Sequence, residues 1–161
     1  GVGTIYFYFK NKEEIFVALQ QEGLGLLYDD ILKISRKRVT PEQKLSLIAH
    51  AYMTFSREHK NYFDIINYFL SSSTIFFQPD LKHQIDRSGF DILLILQKIV
   101  DAGIKTDRFK PTDSKKYAIL FWATLHGLIQ TRKLEYTLLE NDSFDRMVEY
   151  SIQHLVEMLA R

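Results

Sequence analysis

The chain of 161 residues contains no cysteine, which removes disulfides, zinc–thiolate sites and thiol catalysis together. That absence suits a reducing compartment, and a cytoplasmic location is expected. No stretch approaches ~18 uninterrupted apolar residues, so nothing reads as a membrane span, and no secretory signal pattern opens the chain. Charges nearly cancel, to a net +1, so no global field draws the protein to nucleic acid or to an anionic bilayer. Any contact with DNA has to be local. Five histidines occur (His50, His59, His83, His126 and His154), none in a His-Glu-x-x-His or comparable metal spacing, and no metal or cofactor is expected. There is no Gly-rich phosphate loop, cysteine nucleophile or clustering of histidine with carboxylates, so the chain reads as a non-enzyme. Proline is equally scarce: only three are present.

Each proline stands beside a helix-start signal. Thr40-Pro41-Glu42-Gln43 places a hydroxyl before a proline at the first helical position, with Gln three residues after the cap. Gln78-Pro79-Asp80 and Pro111-Thr112-Asp113 read similarly, and Asn11-Lys12-Glu13-Glu14 and Asp142-Ser143-Phe144-Asp145 give two further starts. Between them the apolar period is helical: Leu45, Ile48, Tyr52 and Phe55 recur at steps of three and four. The expected helices are about 2–9, 12–34, 41–58, 60–71, 79–103, 113–134 and 143–160. The chain is therefore all-α, and its long helices with short connections suggest a bundle. A loop is expected over "SSSTIFFQP" (71–79), and the basic run "KISRKR" (33–38) reads as a solvated helix terminus.

The opening stretch, "GVGTIYFYFKNKEEIF", runs Ile5, Tyr6, Phe7, Tyr8 and Phe9 consecutively, so apolar groups point in every direction around a short helix. Some rings must face something other than a core, although full internal packing stays open from chemistry alone. This stretch resembles the end of the helix-turn-helix of TetR-family transcriptional regulators. Gly3, Thr4, Ile5, Tyr6, Tyr8, Phe9, Lys12, Glu13, Ile15 and Phe16 all fall where the family pattern wants them. More weakly, "FWATLHGLIQ" (121–130) is similar to the family's Trp-x-x-x-His-Gly segment. The resemblance implies that residues 1–18 are the last part of a DNA-binding head and 19–161 a ligand-binding and dimerisation bundle. It also implies that about two helices precede the Gly-Val-Gly start. Thr4, Tyr6, Phe7, Tyr8 and Lys12 would contact double-stranded operator DNA, with Ile5 and Phe9 facing inward.

Downstream, Tyr52, Phe55, Tyr62, Phe63, Tyr68, Phe69, Phe76, Phe77, Phe90 and Trp122 make the middle helices rich in rings. So many rings are hard to pack densely in a small bundle, and family members bind inducers between the corresponding helices. Expected ligand contacts are Tyr52, Phe55, Tyr62, Phe63, Phe69, Phe90, Leu94 and Trp122. Asn67, Gln97, Thr124 and His126 are candidate polar groups. The implied ligand is small and hydrophobic or aromatic.

The last two helices each show two apolar faces, which one small core cannot cover. Tyr117, Phe121, Leu125 and Leu128, with Met147, Tyr150, Ser151, His154 and Met158, are expected at an isologous homodimer interface, as in the family; deeper burial within one subunit is the alternative. The function implied is a ligand-responsive regulator, a repressor released by its inducer. The alternatives are a helical dimeric ligand-binding protein without DNA recognition, or an enzyme.

Overall fold

The computed structural model describes residues 11–71, 79–140 and 142–161. The expected recognition helix, with Thr4, Tyr6, Phe7 and Tyr8, lies outside them, as does most of the loop at 71–79. Among the described residues the helices are α1 (Lys12–Ser35), α2 (Pro41–Glu58), α3 (Lys60–Ser71), α4 (Pro79–Lys105), α5 (Ser114–Thr131), a 3₁₀ turn (Arg132–Leu134), α6 (Glu135–Leu138) and α7 (Phe144–Glu157). No strand occurs among them beyond an isolated bridge between Phe109 and Ala160. The periodicity located the long helices to within three residues at each end. It carried the fifth too far, because the backbone tightens into a 3₁₀ turn after Thr131, and it missed the single turn of α6.

The caps explain the starts. Asn11 Oδ1 accepts from the Glu14 N–H at 2.9 Å, and Asp113 Oδ1 accepts from the Lys116 N–H at 3.0 Å. At α2 the box is reciprocal: Gln43 N–H donates to Thr40 Oγ1 (3.3 Å) and Thr40 N–H to Gln43 Oε1 (3.0 Å). Such caps satisfy amides that the helix itself leaves unpaired. The basic run ends α1 as expected, with Arg36, Lys37 and Arg38 exposed.

Helix α2 is the centre of the bundle, touching α1, α3, α4, α5 and α7. Its inward positions Leu45, Ile48, Ala49, Tyr52, Met53 and Phe55 are all buried. Helix α3 runs antiparallel to α1, with Phe16 against Tyr68 and Gly23 against Tyr62. A methyl group on Gly23 would lie 2.7 Å from Tyr62 Cβ, so glycine is what lets the two helices meet there. Helix α1 also lies along α4, and α4 along α5. The four helices α1, α3, α4 and α5, with α2 behind them, surround an unfilled space.

Candidate functional site: an apolar cavity beside α1

The space is a cavity of about 290 Å³, near the lower end of the ~300–1,000 Å³ usual for ligand pockets. Helix α1 supplies Gln20, Leu24, Leu27 and Ile31 at steps of four, three and four, one face of a helix. From Gln20 to Ile31 this wall runs roughly 16 Å at 1.5 Å per residue. Ile48 and Tyr52 of α2 form the floor, and α3 adds Ile66, Phe69 and Leu70. Helix α4 contributes Ile85, Gly89, Phe90, Leu93 and Leu96 among others, and α5 adds Phe121, Trp122 and Leu125. Leu70, Asp86 and Phe90 line the space and are also exposed, which marks its mouth.

Polar groups are few and most are spoken for. The Tyr52 hydroxyl lies 2.8 Å from His126 Nδ1, and the Trp122 ring lies against the same imidazole, 5.4 Å between ring centres. Burial pushes the Tyr52 phenol well above its ordinary range, so it stays protonated. Behind this pair, Gln130 Nε2 donates to Asn67 Oδ1 at 2.6 Å, joining α5 to α3. Asp86 pairs with Lys82 one turn earlier on α4. Gln20 differs: its side chain is 1% exposed and its Oε1 has no hydrogen-bond partner among the described residues. Leaving such an acceptor unsatisfied costs about 1–3 kcal/mol.

Of the expected ligand contacts, Tyr52, Phe69, Phe90 and Trp122 line this cavity. The other ring and polar candidates do not reach the wall. Phe55 turns to His59 (5.4 Å between ring centres), Tyr62 covers Gly23, and Phe63 packs on Tyr52 and His126 (6.1 and 5.5 Å). Asn67 and His126 form the network behind the wall, the Thr124 hydroxyl donates to its own helix at Leu120 O, and Leu94 and Gln97 are half-buried on α4 away from the cavity. The physical reason is that rings at helical spacing fill a core as readily as they line a void. Aliphatic side chains make most of the wall. One signal was available: Val17, Gln20, Leu24, Leu27 and Ile31 form a continuous buried stripe, and Gln20 is the polar residue in it.

Helix α5 also departs from expectation. Tyr117, Phe121 and Leu125 are closed within the chain's own core, with the Tyr117 hydroxyl donating to Leu155 O at 2.6 Å, and Leu128 is half-buried against it. The outward face of α5 is instead Ile119, Leu120, Ala123 and Gly127. Of two apolar stripes, the more aromatic one turns inward because its rings fill the space toward α4 and α7. On α7 and at its C-cap, Tyr150, His154 and Met158 are exposed and Met147 is half-buried. Ser151 is buried, its hydroxyl donating to Met147 O. Lys12, at the start of α1, is exposed.

His126 gives a pH prediction. Burial lowers its pKa below the ordinary value of 6.5, so the unfolded chain takes up a proton more readily than the folded one. Stability is then fully present above about pH 6.5 and falls as the pH drops through that value toward the lowered folded pKa, by at most about 1.4 kcal/mol per pH unit from this group. Urea denaturation between pH 7.5 and 5.5 should show a smaller loss for His126→Gln than for the natural chain.

No helix among the described residues is long and apolar enough to cross a membrane, and no group of three or more His, Asp or Glu among them could hold a metal. Residues 45–155 match the family described as "Tetracyclin repressor-like, C-terminal domain". The fatty acid metabolism regulator protein of Bacillus subtilis (strain 168) is 28% identical over 108 residues, covering 67% of this chain and 54% of that protein. The chain thus spans about half the length of this curated relative. Among solved structures, the transcriptional regulator FadR from Bacillus subtilis in complex with stearoyl-CoA superposes with a TM-score of 0.80 at 22% identity, over 99% of this chain and 82% of that one. AibR, in complex with isovaleryl coenzyme A and operator DNA, gives 0.74 at 14% identity, over 94% and 78%. The bundle is the same fold in each, and with more than two thirds of its length matched by the family, the chain belongs to the tetracyclin repressor-like regulators.

Proposed function

We propose that the protein is a ligand-responsive, homodimeric DNA-binding transcriptional regulator, a repressor released when an acyl chain carried on coenzyme A enters the cavity. The observation that carries this is the apolar void walled on one side by α1, the helix that runs out of the head expected at residues 1–18. At about 30 Å³ per water-sized group, the space holds roughly ten such groups, a medium-length chain with its polar end at the mouth. The relatives support the ligand class: FadR was solved with stearoyl-CoA and AibR with isovaleryl coenzyme A and operator DNA.

In this reading residues 19–161 bind ligand and pair, while Thr4, Tyr6, Phe7, Tyr8 and Lys12 meet the duplex. Gln20, Leu24, Leu27 and Ile31 touch the ligand from the helix that begins at Lys12. An occupant that fits one inclination of α1 better than another moves the head. Two recognition helices then no longer match half-sites about 34–36 Å apart. Turning a 1:99 population into 99:1 requires a discrimination of about 5.5 kcal/mol, so a weakly selective ligand gives partial release. The test is fluorescence anisotropy of labelled upstream DNA with the full-length protein. Binding at low salt, reversed by decanoyl-CoA, is expected; no binding favours a ligand-binding dimer without DNA recognition.

The homodimer would form through the outward faces of α5 and α7. Ile119, Leu120, Tyr150 and Met158 are all exposed there, Tyr150 by 57%, an unusual set of apolar groups to leave in water. Light scattering should find Tyr150→Glu monomeric, because an isologous interface would bury the new carboxylate twice. An unchanged dimer would put the interface elsewhere.

A further inference from the structure

We propose that Gln20 is the specificity-determining residue of the cavity and that the natural ligand carries a hydroxyl group close to its polar end, as a 3-hydroxyacyl thioester does. This rests on the cavity being the ligand site and deepens that reading. Gln20 is buried and lines the cavity, and its amide oxygen meets no donor among the described residues. The Tyr52 hydroxyl has His126 and the Asp86 carboxylate has Lys82. A long apolar chain offers Gln20 nothing and leaves its acceptor sealed away from water.

Position along the cavity fixes where the matching group sits. Gln21 Nε2 donates to Gln84 Oε1 at 3.3 Å, which puts Gln20 at the same end of the cavity as Ile85 and Asp86. Asp86 is at the mouth, while Leu24, Leu27 and Ile31 lead away from it along α1. The polar residue is therefore at the end where an acyl chain joins its carrier, and the deep end is aliphatic. A hydroxyl suits the amide better than a carbonyl does. It donates to Oε1 as the side chain stands, and it accepts from the amide N–H if the group is turned over. A carbonyl serves only the second arrangement.

The experiment compares decanoyl-CoA with 3-hydroxydecanoyl-CoA by titration calorimetry, using the full-length protein and its Gln20→Met variant, which keeps the side chain's length and removes its polar atoms. The natural protein should bind the hydroxylated thioester about tenfold more tightly. Gln20→Met should lose or reverse that preference, bind decanoyl-CoA at least as well, and melt no lower when free, since an unpaired buried acceptor is gone. Equal affinities in the natural protein would overturn the proposal, pointing to a cavity water as the partner of Gln20. So would a preference that survives Gln20→Met. If neither thioester binds the natural protein, the cavity reading itself falls, a separate result from losing only the preference.

Discussion

Replacing Phe109 by alanine should lower the unfolding free energy by about 3–5 kcal/mol, measured by urea denaturation. Against a typical total of roughly 5–15 kcal/mol, that is at least about a fifth of the stability. Phe109 lies outside every helix, yet it is 1% exposed and among the largest fully buried side chains. Its position follows from the end of α4. Asp107 takes a left-handed conformation (φ 62°), which lets both Arg108 N–H and Phe109 N–H donate back to Gly103 O, at 2.9 and 3.1 Å. This turn folds the ring beneath Gly103, and the next amide, of Lys110, donates to Leu159 O at 2.9 Å. One aromatic residue thus pins the end of α4 to the segment after α7.

Gly103 is the other half of that lock. A Cβ there would stand 2.1 Å from Phe109 Cδ2, closer than atoms can approach, so Gly103→Ala should cost about 1–3 kcal/mol even though alanine favours helix. The double variant should be less unstable than the sum of the singles, because the added methyl occupies space that the lost ring leaves. Strict additivity would mean that the two residues do not meet.

The second large effect concerns the cavity. Gly89→Leu should weaken binding of decanoyl-CoA by about a hundredfold while leaving the fold as stable or slightly more so. Gly89 lines the void, and a Cβ built on it would meet nothing within 4 Å. A leucine would displace roughly four of the ten or so groups that fit, at about 0.8 kcal/mol each, or about 3 kcal/mol in total; every 1.4 kcal/mol is tenfold in affinity. Glycine in a helix interior is about 1 kcal/mol worse than alanine, and leucine is close to alanine. A variant that loses the ligand yet melts no lower separates blocked binding from damage.

The long helices were legible because α1, α2, α5 and α7 start on capping residues and their interiors keep an apolar period, as Thr40-Pro41 and the Leu45–Ile48–Tyr52–Phe55 series illustrate. Which stripe of a helix turns inward was not legible when both are apolar. On α5, Tyr117 and Phe121 go to the core and Ile119 and Leu120 go to the surface, a choice made by neighbours rather than by α5 itself. The cavity was legible only in part. Tyr52, Phe69, Phe90 and Trp122 were found as rings, but a void is a property of shape, and the aliphatic majority of its wall looks like any core. Gln20 was within reach, as a polar residue inside the stripe from Val17 to Ile31.

The proposed control of DNA binding by the filled cavity is open to one measurement: the affinity of the full-length protein for its own upstream DNA, with and without decanoyl-CoA at a concentration that just saturates the natural form, in the natural form and in Gly89→Leu. The thioester should release the natural protein while Gly89→Leu stays bound. Equal release of both forms would place the controlling site somewhere other than between α1 and α4.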